Sequence, residues 1–178
     1  MHVVFIHGPP AVGKYTIGAV LSERTGLPLF HNHLAVDTAL SLFEFGTPQF
    51  NAMRAGIWRT AFREAALAGR SFIFTFAPEA TVEPSLIDDL RTSVSAAGGK
   101  TYFVELTCAK STILERLVSN DRARFRKLTD PEAFESAERL GRYAFPPLPA
   151  PIVRLDTDGY SPVQAAEKIA FALFAALQ

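Results

Sequence analysis

The sequence predicts a three-layer α/β domain built around a five-stranded parallel sheet. Two patterns carry that prediction. Short apolar runs of strand length alternate with longer stretches of helical period along the 178-residue chain, and this alternation produces parallel strands joined by right-handed helical crossovers. The first run, Val3 to His7, stops at Gly8 and leads through a glycine-bounded loop into the first helical stretch. In sheets of this kind ligands bind beyond the C-terminal ends of the strands.

The elements follow in order. Val3 to His7 is apolar throughout, as a strand covered on both faces requires. Lys14 to Thr25 places Ile17, Val20 and Leu21 on one helical face and stops at Gly26. Leu27 to His31 is a short second strand. His33 to Glu44 reads as a helix closed by Gly46, and Pro48 to Ala68 as a longer one closed by Gly69. Ser71 to Phe76 is the third strand, Pro84 to Ala97 a helix ending at Gly98-Gly99, and Thr101 to Thr107 the fourth strand. Ser111 to Ser119 is a helix running into a charged stretch, Asn120 to Asp130. Pro131 to Tyr143 is helical again, with Pro131 near its start. Phe145 to Pro151 is an extended connector, Ile152 to Leu155 the fifth strand, and Pro162 to Leu177 the last helix. Nothing splits the chain, so residues 1–178 form one domain.

Bulk composition narrows the function. Eighteen Lys and Arg balance eighteen Asp and Glu, which argues against a large nucleic-acid footprint. The single cysteine, Cys108, excludes an intramolecular disulfide, and a reduced cytoplasmic home is expected. Cys108 itself reads as a small buried hydrophobe. The N-terminal run lacks a basic leader, and no stretch approaches the ~20 apolar residues of a membrane span.

The chemistry begins at Gly8-Pro9-Pro10-Ala11-Val12-Gly13-Lys14, which matches G-x-x-x-x-G-K between a strand and a helix. Glycines let backbone N–H groups converge on phosphate oxygens. The helix behind them offers its positive end to the anion, and Lys14 adds a compact ammonium. The ligand expected here is a purine nucleoside triphosphate, ATP, with Gly8, Pro9, Ala11, Val12, Gly13, Lys14, Tyr15 and Thr16 around its phosphates. The position after Lys14 is Tyr15, and the hydroxyl comes one residue later, at Thr16.

This GK-x-T form resembles the loop of the nucleoside monophosphate kinases. With the loop at the N-terminus, the whole chain is similar to the small P-loop kinases: shikimate kinase, gluconate kinase and chloramphenicol phosphotransferase. It is most similar to bacterial shikimate kinase-like proteins with GPPAVGK, a second strand ending LFHNH, and LDT after a Pro-rich connector. The resemblance implies a P-loop NTPase fold with a small helical lid, here about residues 120–143. It also implies transfer of the ATP γ-phosphate to a hydroxyl or phosphate of a small molecule. Thr16 would then contact a phosphate and be the loop's hydroxyl for Mg²⁺, which phosphate oxygens and water largely hold. Arg116 would flank the adenine, Asp156 and Thr157 would border it, and Arg122 and Arg124 of the lid would neutralise the transferring group.

Shikimate kinase ends its second strand in Asp-Ser-Asp; here the matching positions are His31, Asn32 and His33. An imidazole can take a hydroxyl proton near neutral pH, so His33 is a candidate base. Asp37, one helical turn on, is the alternative base or the group that orients His33. His31 is either a substrate contact or a hydrogen-bonded core histidine. In the helix after Pro48, the residues Phe50, Met53, Ile57, Ala61 and Ala65 share a stripe with Arg54 in its middle. A charge there needs a partner or an aqueous cleft, so Arg54 is a candidate grip on an anionic acceptor.

Two other classes stay open. A non-kinase nucleotide switch would bind ATP or GTP without transfer, although no Asn-Lys-x-Asp guanine motif exists. The third strand ends Thr75-Phe76-Ala77 with Glu79 as the one carboxylate close by, not the acidic pair of a hexameric motor. A kinase of nucleic-acid ends is the other, disfavoured by charge neutrality.

Overall fold

Each strand of the sheet is placed by what covers its two faces. The computed structural model describes residues 1–118 and 128–178. Strands β1 (His2–His7), β2 (Leu29–His31), β3 (Phe72–Phe76), β4 (Lys100–Thr107) and β5 (Val153–Asp156) run parallel in the order β2-β3-β1-β4-β5. The helices among the described residues are α1 (Lys14–Thr25), α2 (His33–Leu40), α3 (Pro48–Leu67), α4 (Pro84–Ala96), α5 (Lys110–Leu117), α6 (Pro131–Arg139) and α7 (Pro162–Leu177). The predicted three layers and five parallel strands are what is found.

Side chains alternate across the pleat. From β1, Val3 and Phe5 enter one core with Trp58 and Phe62 of α3 and Leu86, Leu90 and Val94 of α4. Val4 and Ile6 enter the opposite core with Ile17 and Leu21 of α1 and Ile169 and Leu173 of α7. The first core is strongly aromatic. Phe74 lies between Phe5, Trp58 and Phe62, with ring centroids 5.1–5.5 Å apart in edge-on geometry, the arrangement that aligns ring edges with ring faces.

Two helices stop earlier than their sequence pattern suggests. α2 ends at Leu40, not Glu44, because the chain must turn to bring Thr47 to the N-cap of α3. There its hydroxyl accepts from the Phe50 N–H (3.3 Å) and donates to the Glu44 carbonyl (2.8 Å). α6 ends at Arg139, not Tyr143. Gly141 adopts φ +67°, and the Arg142 N–H reaches back to the Ala137 carbonyl at 2.9 Å, a glycine-terminated Schellman-type stop.

The buried face of α3 also differs. Phe50, Arg54, Trp58, Phe62 and Ala66 are buried, one position on from the expected stripe, and Met53, Ile57, Ala61 and Ala65 flank it. Arg54 is therefore at the centre of the buried face, 1% exposed. Its guanidinium lies over the rings of Phe50 and Trp58, 5.2 and 5.3 Å from their centroids. It donates to the Glu79 carboxylate, to the Thr81 carbonyl (3.1 Å) and to the Thr81 hydroxyl (3.2 Å). Burial lowers the Arg54 pKa, and the adjacent Glu79 charge works against that loss.

Two consequences are measurable. Arg54→Met removes the partner of a largely buried carboxylate, and breaking such a pair costs about 3 kcal/mol; urea unfolding should show that loss, and a change below about 1 kcal/mol contradicts it. His7, at the end of β1, is 7% exposed and its pKa is pushed down to about 4, chiefly by burial. The unfolded chain takes up this proton near the ordinary value of 6.5 and the folded chain does not. The contribution of His7 is thus present above pH 6.5 and is lost as pH falls toward 4, by about 3 kcal/mol. Unfolding curves of wild type and His7→Leu at pH 7 and pH 4 should differ in slope with pH by that component.

Candidate functional site

The loop between β1 and α1 is shaped by contacts that exclude side chains. Gly8 has φ +148°, and a Cβ there would lie 2.2 Å from the Leu106 carbonyl oxygen of β4. Ala11 (φ 62°) and Gly13 (φ 100°) turn the chain into α1. Gly13 is the N-cap and supplies no side-chain cap, so the first-turn N–H groups keep their donor capacity toward an incoming ligand. The positive end of the helix dipole lies at the same place. The Lys14 ammonium folds over the loop, donating to the carbonyls of Gly8 (2.8 Å) and Pro9 (2.6 Å).

This loop floors a cavity of about 1230 Å³, larger than the usual pocket for a single drug-sized ligand. Ala11, Val12, Gly13, Lys14, Tyr15 and Thr16 line it; Gly8 and Pro9 do not. On one side Arg116 of α5 ties three segments together. It donates to the Val12 carbonyl (3.3 Å), the Thr157 hydroxyl (2.9 Å) and the Thr157 carbonyl (3.2 Å). Arg116 and Thr157 both line the cavity. Asp156 instead closes its own turn, accepting from the Asp158 N–H at 3.1 Å, and Ser161 with Gln164 forms a capping box on α7. Cys108 lies in this corner; burial pushes its thiol pKa up, away from thiolate reactivity.

On the other side the end of β2 reaches the cavity. The Asn32 N–H donates to the Thr75 hydroxyl of β3 (3.1 Å), which anchors the His31-Asn32-His33 segment. The Tyr15 ring meets His31 edge-on at 4.9 Å, and His31 and His33 are 6.4 Å apart. Tyr15, His31, Asn32 and His33 all line the cavity. α6 forms a third wall through Ala133 and Ala137, followed by Arg142 and Tyr143.

Besides Gly8, Pro9 and Asp156, the candidates Asp37 and Arg54 also lie off the cavity lining. Asp37 is exposed and lies outside the cavity lining. His33 enters the cavity from the first residue of α2, where the chain leaves the sheet, so sharing its helical face does not bring Asp37 to the same place. Arg54 lies behind the wall in its network with Glu79, and Glu79 and Thr81 are the members that line the cavity. The grip on an anionic acceptor expected of Arg54 is thus replaced by an internal ion pair. Arg122 and Arg124 lie outside the described residues.

Glu79, Thr81, Arg142 and Tyr143 were not selected from the sequence. Glu79 had a visible signal, as the one carboxylate close after the third strand. Arg142 had a weaker one, since it directly follows the helix-terminating Gly141. Among the described residues there is no group of three or more His, Cys, Asp or Glu placed to hold a metal ion. No helix among them is long and apolar enough to cross a membrane.

No protein-family profile and no curated protein matches the chain. Solved structures do. A sugar kinase from a Janibacter species superposes with a TM-score of 0.64 at 20% identity, covering 97% of this chain and 93% of that one. A gluconokinase from Sinorhizobium meliloti gives 0.65 at 15% identity over 98% and 93%. Shikimate kinase from Aquifex aeolicus gives 0.58 at 17% identity over 99% and 98%. At these identities the likeness is one of fold: the described residues share the three-layer α/β architecture of these kinases.

Proposed function

We propose that the protein transfers the γ-phosphoryl group of ATP to a hydroxyl of a small molecule. One observation carries the reading: an uncapped helix N-terminus, Lys14 and His33 all line the same cavity. The first pair suits a triphosphate, and the third suits a hydroxyl that must lose a proton. The fold shared with a sugar kinase and a gluconokinase is consistent with such a reaction.

In this reading the acceptor oxygen attacks the γ-phosphorus, the bond to the β–γ bridging oxygen breaks, and ADP leaves with that electron pair. The hydroxyl proton passes to His33. Lys14 and the first-turn amides offset charge on the phosphate oxygens. Thr16, at the first turn of α1, supplies a hydroxyl oxygen of the kind Mg²⁺ accepts, and Mg²⁺ would offset charge on the β- and γ-phosphates. Arg116 and Thr157 would flank the purine ring. Arg122 and Arg124 remain proposed lid contacts. The zero net charge favours a small acceptor over a nucleic-acid end, and a reducing cytoplasm is the proposed setting.

The reading is tested by ADP release from ATP and Mg²⁺ across a library of small alcohols. With ATP near a hundred times its Kd, binding should add about 2.7 kcal/mol to stability, a rise of roughly 5–10 °C in Tm. Lys14→Ala should lose most of that rise; an unchanged rise contradicts the loop's role. His33→Ala should keep it while transfer falls about 100-fold or more. Retained transfer in His33→Ala removes His33 as the base.

A further inference from the structure

The wall that faces the His31-Asn32-His33 segment carries hydrogen-bond acceptors in place of the cation its sequence suggested. Glu79 Oε1 receives bonds from both Arg54 and the Thr81 hydroxyl (3.0 Å from the latter). Among the described residues Oε2 makes no hydrogen bond and remains able to accept, in a residue that lines the cavity. Asn32 Oδ1 is buried with no hydrogen-bond partner among the described residues, and Asn32 lines the same cavity. Of the two, only Glu79 Oε2 can meet a hydrogen from a ligand, because Asn32 Oδ1 is fully enclosed. Arg54 cannot supply an attraction for anions here: it is 1% exposed, does not line the cavity, and is already compensated by Glu79.

Resting on the phosphotransfer reading, we infer that the acceptor is a donor-rich alcohol without negative charge, a neutral polyol or an amine-bearing one, held by Glu79. A hydroxyl or ammonium group offers the hydrogen that Oε2 can accept. A carboxylate or phosphate offers only further acceptors, with no hydrogen for Oε2. Arg54 is then a positioning residue, fixing Oε1 so that Oε2 faces the ligand. Arg142 marks the rival arrangement, because it is exposed, lines the cavity and could hold an anion.

The test uses the full chain and four matched probes: glucosamine, myo-inositol, glucuronate and glucose 6-phosphate. Binding of the non-hydrolysable analogue AMPPNP is measured first by calorimetry, since that reports the phosphate site alone. ADP release and probe binding in the presence of AMPPNP are then ranked. Glucosamine or myo-inositol should exceed both anionic probes by about tenfold or more in kcat/KM or in affinity. Glu79→Gln should shrink that ratio about tenfold while AMPPNP affinity stays within about twofold. The wild-type ranking decides the matter even if the variant fails to fold.

A preference for glucuronate or glucose 6-phosphate overturns the acceptor class and leaves phosphotransfer standing, with Arg142 as the anion grip. A Glu79→Gln variant with an unchanged ranking overturns the assignment to Glu79. Failure of all four probes to bind or react, with AMPPNP bound, overturns the acceptor assignment, and ADP release across the library of small alcohols decides the transfer reading separately. Failure of AMPPNP to bind sinks the nucleotide site itself.

Discussion

The phosphate loop can take its path only because Gly8 has no side chain. At that residue β1 ends and the chain must pass against the backbone of β4, where a Cβ would penetrate the Leu106 carbonyl. The positive φ of Gly8 and Gly13 then turns the chain so that α1 begins directly behind the loop. Everything else about the site follows from that geometry. The helix dipole, the first-turn amides and Lys14 are brought to one point because the strand and the helix are joined by so few residues. The two cores on either side of β1 hold the strand still, so the loop inherits the rigidity of the sheet.

The second organising feature is electrostatic. A guanidinium on the buried face of α3 is expensive to desolvate, and the fold answers with Glu79, Thr81 and two aromatic faces. The same contacts hold Glu79, which lines the cavity. A charge pair that looks purely structural from the side of α3 thus also fixes a residue of the cavity wall. The two ends of the cavity therefore differ in character. One end is rich in donors and positive charge, and the other presents oxygens and imidazole rings.

Arg116 joins these halves to the rest of the molecule. It links the phosphate loop through Val12 to the turn after β5 through Thr157. The segment Asp156 to Tyr160 serves two ends at once, because Ser161 directly after it caps α7 while Thr157 faces the cavity. A turn that caps a helix and a turn that borders a ligand need not be alternatives, since backbone geometry satisfies the cap and a single side chain serves the site.

The sheet, the helix order and the glycine loop between β1 and α1 were legible in the sequence because each depends on local signals. Strand length, helical period, glycine stops and the spacing of Gly8, Gly13 and Lys14 are all properties of contiguous residues. The premature end of α2 was not legible, because it is set by where Thr47 must stand to cap α3. The roles of Arg54 and Asp37 were not legible either. Helical periodicity could show that Arg54 lies on an apolar face and that Asp37 shares a face with His33. It could not show that Glu79, on a different element, reaches Arg54, or that His33 enters the cavity from the end of its helix. Chain-local chemistry determined the glycine loop and the lysine that follows it; only the packing of α3 against the loop after β3 decided which charges are compensated at the other end, because compensation depends on distances in space that sequence spacing does not record.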